Sequence, residues 1–424
     1  MTKFFLLLPA LVLNLVLFGQ VDKSKVATTQ KFDEVLTYVN KMYVDDVDEK
    51  ALTEAAIVAL LEKLDPHSTY ISKEEVDDAN QSINGSFVGI GIRFQIHKDT
   101  LMVIATIPGG PSEKLGILPG DKITKIESEN IAGIGLKNGM VREKLMGELG
   151  TKVRVEVQRK NSRKPLDFVI TRDNIPINSV DAYYMVEPEI GYIKLNSFSR
   201  STVEEMQKAM RDLKSKGMTS LILDLQGNGG GLLYAAQQLA DEFLSEDKLI
   251  VYSEGKAQPR SDLKAGKKGL WEVGQLIVLT DEYSASASEI FAGAIQDNDR
   301  GVIIGRRSFG KGLVQQDFAL KDKSNLRLTI ARYYMPSGRC IQKPFDEGYD
   351  AYYKDQLNRE AAGEFFKPDS LRFKNCKKFK TVKGRTVMDA SGISPDYFIP
   401  LDTSNSTVYY INLRYSPVFQ HFAF

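Results

Sequence analysis

A chain of 424 residues has room for two or three domains and an ample hydrophobic core. Hydrophobic residues make up 42% and charged residues 26%, and a formal net charge of +1 argues against nucleic acid as the main partner. The two cysteines, Cys340 and Cys376, exclude a disulfide-dense scaffold and lack zinc-site spacing, while one bridge or two free thiols both fit the count.

Lys3, an apolar run over residues 4–18 and then Gly19-Gln20 read as an export signal over 1–20, with cleavage near Gly19 or Gln20. The run is short for a membrane-spanning helix, although an uncleaved segment would tether the chain to a membrane. No cysteine follows, so a lipoprotein anchor is not expected at this point. The expected location is outside the cytoplasm, in a periplasm or cell envelope if the source is bacterial. Residues 28–82 read as a helical region: Phe32, Val35, Leu36, Val39 and Met42 recur at three- and four-residue spacing, and residues 52–64 repeat the pattern. LDPHSTYIS ends that region, and a structural hydrogen bond is expected of its His67.

From Gly85 the period changes to short strands, SFVGIGIRFQI, LMVIATI and DKITKIE, followed later by KVRVEVQR and PLDFVITR. PGGPSEKLGILPGD joins two of them through a short helix and a Pro-Gly-Asp turn. Together, Gly-Ile-Gly and Pro-Gly-Asp resemble a PDZ domain over 84–173. The resemblance implies that Phe87, Val88, Gly89, Ile90 and Gly91 form a loop whose N–H groups receive a peptide's terminal carboxylate. The peptide would then add as a strand to a sheet edge, with a helix near 140–149 lining the groove. Gly89 and Gly91 could equally relieve crowding in a strand.

From Ser179 strands and helices alternate: IGYIKL, a helix over 202–216, SLILDL, a helix over 232–244, QLIVLT, and a helix opened by Ser284-Ala-Ser286. That alternation predicts an α/β core with a largely parallel sheet covered by helices and a site at the carboxyl ends of its strands. Gly227-Asn-Gly229-Gly-Gly-Leu232 would be a dinucleotide fingerprint only with a glycine at 232. The serines at 284, 286 and 288 suit a helix N-cap, and one at the top of a strand-to-helix turn also suits a nucleophile. After the strand VIIG comes Phe309-Gly310-Lys311-Gly312. Desolvation there would lower the lysine pKa, and a neutral lysine can take a proton from a serine hydroxyl. The same stretch imitates a phosphate loop, but Gly312 stands where the Mg²⁺-binding Ser or Thr belongs, and LVQQDFAL shows no helical face. With three histidines, at 67, 97 and 421, a Ser–His–Asp triad has no natural base.

SASASEI, Gln296-Asp297 and SFGKGLVQQ, with Ser286 and Lys311 lying 25 positions apart, resemble the carboxyl-terminal processing peptidases, or tail-specific proteases. The resemblance runs from about 30 to about 400 and includes LRLTIARYYMPSGRCIQ and the closing SGISPD. It implies a crotonase/ClpP-like peptidase core over 175–424 with an inserted PDZ domain, Ser286 as nucleophile and Lys311 as general base. Gln315 would orient the lysine, sharing its face if 311–315 are extended. Ala287 with Gly230 or Gly231 would supply the oxyanion-hole N–H groups. No metal or organic cofactor is implied, and the partners are proteins or peptides with free C-termini. A homo-oligomer or an adaptor protein stays open. Gln226 and Gly229 stand where the family usually has arginine and proline, which keeps an inactive PDZ-based binding protein or holdase as the alternative. A crotonase-like hydratase or isomerase would need neither a tail-binding module nor a Ser–Lys pair. An insertion over about 343–390, rich in Tyr, Phe and Lys, has no role legible from sequence, and its basic run 374–380 reads as a solvated face.

Overall fold

The computed structural model describes residues 23–76, 79, 85–266, 268–368, 376–404, 406–416, 418 and 422. The expected export signal and its cleavage point lie outside them. The chain divides into two units, 1–63 and 64–424.

The first unit holds α1 (Lys23–Met42) and α2 (Glu49–Glu62). Asp48 starts α2 by accepting the Ala51 N–H at 3.0 Å, which satisfies one of the donors left over at a helix start. Phe32, Val35 and Met42 of the predicted apolar stripe are exposed, since a pair of helices offers little interior. Among the described residues no helix is long and apolar enough to cross a membrane.

In the second unit LDPHSTYIS departs from the helical reading and forms a strand, β1 (Thr69–Ile71). Asp65 Oδ1 accepts from His67 N at 2.8 Å and Ser68 N at 2.9 Å, and this turn stops the preceding helix. A β-rich module follows: β2 (Ser86–Gly89), β3 (Ile92–His97), β4 (Thr100–Thr106), α3 (Pro111–Lys114), β5 (Lys122–Ile126), β6 (Glu129–Asn130), α4 (Asn138–Leu145), β7 (Lys152–Gln158), β8 (Leu166–Thr171) and β9 (Asp173–Pro176). Its sheet runs β3-β4-β5-β7-β8, with β6 on β5, while β2 pairs with β9. Alternate residues of β7, Val153, Val155 and Val157, face the module's own core beside Leu101 and Ile170.

The core contains β10 (Val180–Glu187), β11 (Ile190–Leu195), α5 (Thr202–Ser215), β12 (Ser220–Asp224), α6 (Leu233–Asp241), β13 (Leu249–Glu254), β14 (Ser261–Lys264), β15 (Gln275–Thr280), α7 (Ala287–Asp297), β16 (Val302–Gly305), β17 (Leu313–Ala319), β18 (Asn325–Tyr334), α8 (Tyr349–Ala361), β19 (Lys378–Lys380), β20 (Thr386–Met388), β21 (Tyr397–Phe398) and α9 (Val408–Tyr415). One sheet runs β10-β11-β12-β15-β16-β21. Its pairs are parallel from β11 onward, and only β10 runs antiparallel to its neighbour. The mixed α/β core is therefore built on a largely parallel sheet. Every residue of α7 is buried: its apolar residues pack in the core, and its polar ones, Ser288, Glu289, Gln296 and Asp297, have hydrogen-bond or ion-pair partners. A second sheet runs β1-β18-β13-β14 with β17 also on β18, which brings the LDPHSTYIS segment to the strand that follows the lysine.

Candidate active site

Two strand ends and one loop converge on Ser286. After β15, Asp281 Oδ1 accepts from Tyr283 N and Ser284 N, both at 3.0 Å, and from Gly227 N at 2.9 Å. That one carboxylate ties the serine turn to the glycine turn after β12. The three candidate serines then separate by environment. Ser284 is buried and donates to Leu225 O at 2.8 Å, and Ser288 is buried and donates to Asn228 O at 2.8 Å. Ser286 alone is partly exposed. Its backbone sits at φ 57° and ψ −114°, a strained conformation for a residue with a Cβ, and the sharp strand-to-helix turn presents the hydroxyl at the start of α7.

The glycine turn packs directly on this serine. Gly230 has φ +100°, and a Cβ there would lie 2.6 Å from Ala285 O, 2.8 Å from Ser286 Cβ and 3.0 Å from Ala287 N. Only glycine permits both the dihedral and the approach. Asn228, fully buried, shapes the turn by donating to Leu195 O at 2.9 Å and accepting from Gly230 N at 2.9 Å. Phe198 N donates to Gly230 O at 2.9 Å and Leu232 N donates to Phe198 O at 2.8 Å. This parallel bridge turns the Gly231 N–H away from Phe198. Gln226, the departure from the family pattern, is held through its backbone, with its N–H on Asp224 Oδ1 at 2.8 Å and its carbonyl accepting from Lys194 Nζ.

The lysine loop reaches the same place through Glu289, one turn into α7 and wholly buried. Its Oε2 accepts from Ser286 N at 2.8 Å and Lys311 N at 2.9 Å, and its Oε1 from Ser308 Oγ at 2.5 Å and Gly310 N at 2.7 Å. Burial pushes this carboxyl up, opposed by those four hydrogen bonds. The buried Tyr333 hydroxyl of β18 completes a clamp, lying on the carbonyls of Lys311 and, at 3.3 Å, of Ser286. Burial also holds the Lys311 ammonium below the ordinary lysine range, reinforced by the Arg327 charge and opposed by Glu289 and Asp65.

Around this pair, His67 Nε2 lies 2.8 Å from the Tyr352 hydroxyl, the hydrogen bond expected of it. Burial, then the Lys311 charge, pushes its pKa down to about 4. Asp65 also takes Ser68 Oγ at 2.6 Å and Thr329 Oγ1 at 3.1 Å; burial raises its carboxyl pKa, but these bonds leave it lowered. Gln315 lies on β17 opposite Thr329, at a register shift whose extra residue is Ile330 on β18. The Gln315 Nε2 is buried with no hydrogen-bond partner. Asp297 ends the same helix in a fully buried ion pair with Arg339 at 2.7 Å. Cys340 carries a free thiol.

Sequence reasoning overlooked Glu289 and Tyr333. For Glu289 a signal existed, because Ser286-Ala-Ser-Glu289 is a capping-box pattern. Tyr333 had none, since only the β17–β18 pairing brings it beneath the lysine loop. In the β-rich module the five predicted loop residues separate. Phe87, Val88 and Gly89 belong to β2 and pair with Ile175, Asn174 and Asp173 of β9. Ile90 and Gly91 alone connect β2 to β3, with Ile90 O accepting from Ser112 Oγ at 2.5 Å and Gly91 at φ +72°. A ladder through β2 occupies backbone groups that a free loop would have offered. Among the described residues β3 pairs only with β4, so its other edge is open.

A fold with this elbow serine, half-buried lysine and PDZ-type module is that of a serine-type peptidase. The model for "Peptidase family S41" matches residues 189–348, that for "PDZ domain" residues 88–170, and that for "Activating protease CtpB N-terminal domain" residues 16–75. The chain is 38% identical over 340 residues to a carboxy-terminal-processing protease of Bartonella bacilliformis, covering 76% of this chain and 77% of the relative. It is 32% identical over 331 residues to the carboxy-terminal processing protease CtpB of Bacillus subtilis, covering 77% and 68%. Among solved structures, a photosystem II D1 C-terminal processing protease aligns at 26% identity over 87% of this chain and 86% of that one, with a TM-score of 0.46. The chain belongs to the carboxy-terminal processing proteases of peptidase family S41, with a PDZ domain.

Proposed function

We propose that this is an exported endopeptidase that cleaves proteins near their C-terminal ends by a Ser–Lys mechanism. The observation that carries this reading is the shared anchor: one buried carboxylate binds the backbone N–H groups of both Ser286 and Lys311. Neutral Lys311 accepts the Ser286 hydroxyl proton as Oγ attacks the scissile carbonyl. The tetrahedral oxyanion is met by the Ala287 N–H, which opens α7 and has no partner within the helix, and by the Gly231 N–H. Gly231 is preferred to Gly230 because the Gly230 N–H already donates to Asn228. Protonated Lys311 then donates to the leaving amine, and water resolves the acyl-enzyme by the same proton route reversed. Gln315, with an unpartnered buried amide nitrogen, is the candidate to orient the lysine. The PDZ domain captures the tail: its carboxylate meets the N–H groups at Ile90 and Gly91, and its backbone adds to the open edge of β3. Lys3 followed by the apolar run over residues 4–18 supports export to a periplasm or envelope.

The test is cleavage of an unstructured protein with an apolar C-terminal tail, by the parent chain and by Ser286→Ala and Lys311→Ala. Cleavage by the parent and neither variant is expected. Tail binding without cleavage by any of the three would favour the binding-protein alternative. Cleavage surviving both substitutions would show that other residues do the chemistry.

A further inference from the structure

The match to the peptidase model ends at residue 348, yet the next helix sends buried side chains back onto the loop that carries Lys311. Arg359 of α8 donates Nη2 to Arg307 O at 2.7 Å and Nη1 to Ser308 O at 3.2 Å. Its Nε donates to Glu364 Oε1 at 3.1 Å. The same carboxylate receives Arg307 through Nε at 2.8 Å and Nη2 at 3.1 Å. Arg307 also reaches the carbonyls of Ala390, at 2.9 Å, and Ser391. Two buried guanidinium groups thus share one carboxylate, and backbone carbonyls take up the remaining donors. Beside them the Lys343 ammonium lies 3.9 Å from the Phe309 ring centroid and 4.1 Å from that of Tyr352.

Burying such charges contributes little net stability compared with apolar packing of the same volume. What a planar guanidinium supplies is a fixed geometry, because its donors form a rigid fork. Here the fork spans two successive carbonyls, and the hydroxyl of the second residue, Ser308, binds Glu289, the anchor of Ser286 and Lys311. An unbroken line of hydrogen bonds therefore runs from α8 to the reacting pair.

We propose that Arg359 is a positioning residue for Lys311: by bridging the Arg307 and Ser308 carbonyls it holds the lysine loop in its working conformation, so α8 and Glu364 are part of the catalytic apparatus. The proposal rests on the Ser–Lys reading. Arg359→Lys keeps the charge but cannot span both carbonyls and the carboxylate. For this variant kcat per titrated active site falls roughly 10- to 100-fold, as displacement of a catalytic group by about an ångström does. KM for a tailed unstructured protein stays within about twofold. The limb of kcat/KM that rises with pH moves upward, because a loosened loop admits water to the ammonium. A merely structural role would lower the active fraction and leave the limb in place. An unmoved limb with unchanged kcat per active site would overturn the proposal. If Arg359→Lys yields no folded protein, Glu364→Gln, which keeps volume and an acceptor, is read the same way. Lys311→Ala runs in parallel. Activity in that variant would overturn the Ser–Lys reading and this proposal with it, whereas an inactive Lys311→Ala beside an unmoved Arg359→Lys limb would overturn this proposal alone.

Discussion

Glu289 concentrates the problem of building this site into one side chain. A carboxylate removed from water is costly, and here four donors from the serine turn and the lysine loop compensate it. Glu289→Gln keeps the shape but turns an NH₂ group toward two of those donors. The variant is expected to lose about 1–3 kcal/mol of stability, and kcat at least tenfold with KM nearly unchanged. Chemical denaturation and steady-state cleavage measure the two; wild-type kcat in a folded variant would refute the shared anchor. His67 gives a pH prediction with a defined sign. Its folded pKa of about 4 lies below the ordinary 6.5, so the unfolded chain binds the proton first. The contribution is complete above pH 6.5 and is lost as pH falls toward 4, about 3 kcal/mol in all. His67→Asn should flatten the stability profile in that window relative to the parent. Parallel profiles would mean that His67 titrates normally.

At the level of elements, the site is a meeting of turns, and its tolerances follow from close approach. Gly230→Ala would place a methyl group 2.6 Å from Ala285 O at a φ that L-residues avoid. The serine turn must move, so cleavage should fall by about two orders of magnitude, with an accompanying stability loss of about 1–3 kcal/mol. Wild-type turnover by a folded Gly230→Ala would show that the glycine turn does not set the nucleophile. The same element explains why Gln226 and Gly229 are tolerable departures. Asp224 and Lys194 grip residue 226 by its backbone, which is indifferent to the side chain carried there. Residue 229 carries no positive φ and has open space where a Cβ would stand. Segments whose role depends on a repeating pattern were legible in advance: the alternating valines of β7 and the apolar runs of β12 and β15 state their burial outright. β1 was not, because three residues carry too little periodicity and their strand conformation comes from pairing with β18.

For the molecule as a whole, the PDZ domain is inserted through a ladder that can be closed without it. β2 and β9 run antiparallel, with Gly89 opposite Asp173, and Ile177 N donates to Gly85 O at 2.8 Å. Replacing residues 90–172 with Asn-Gly makes a two-residue hairpin of the geometry such ladders prefer. The shortened enzyme is expected to cleave short peptides as the parent does. Its kcat/KM for an unstructured protein with a free apolar tail should drop at least tenfold, as loss of a tethering site requires. Equal rates on both substrates before and after excision would remove tail capture from the mechanism.

Sequence by itself determined the class of fold, the β–α alternation and the PDZ-type module, and it singled out Ser286 and Lys311 as the candidates for the chemistry, since each is written in local pattern: periodicity, turn chemistry or a short motif. The tertiary structure decided what those residues touch. Ser284 and Ser288 became pins while Ser286 stayed partly exposed, because the glycine turn and the end of its strand accept two of the three hydroxyls. Phe87 to Gly89 entered a ladder because a strand 84 or more residues later closes on them. Glu289, Tyr333 and Arg359 came to serve the lysine loop because buried donors and acceptors must find partners, and those partners lie tens of residues away along the chain.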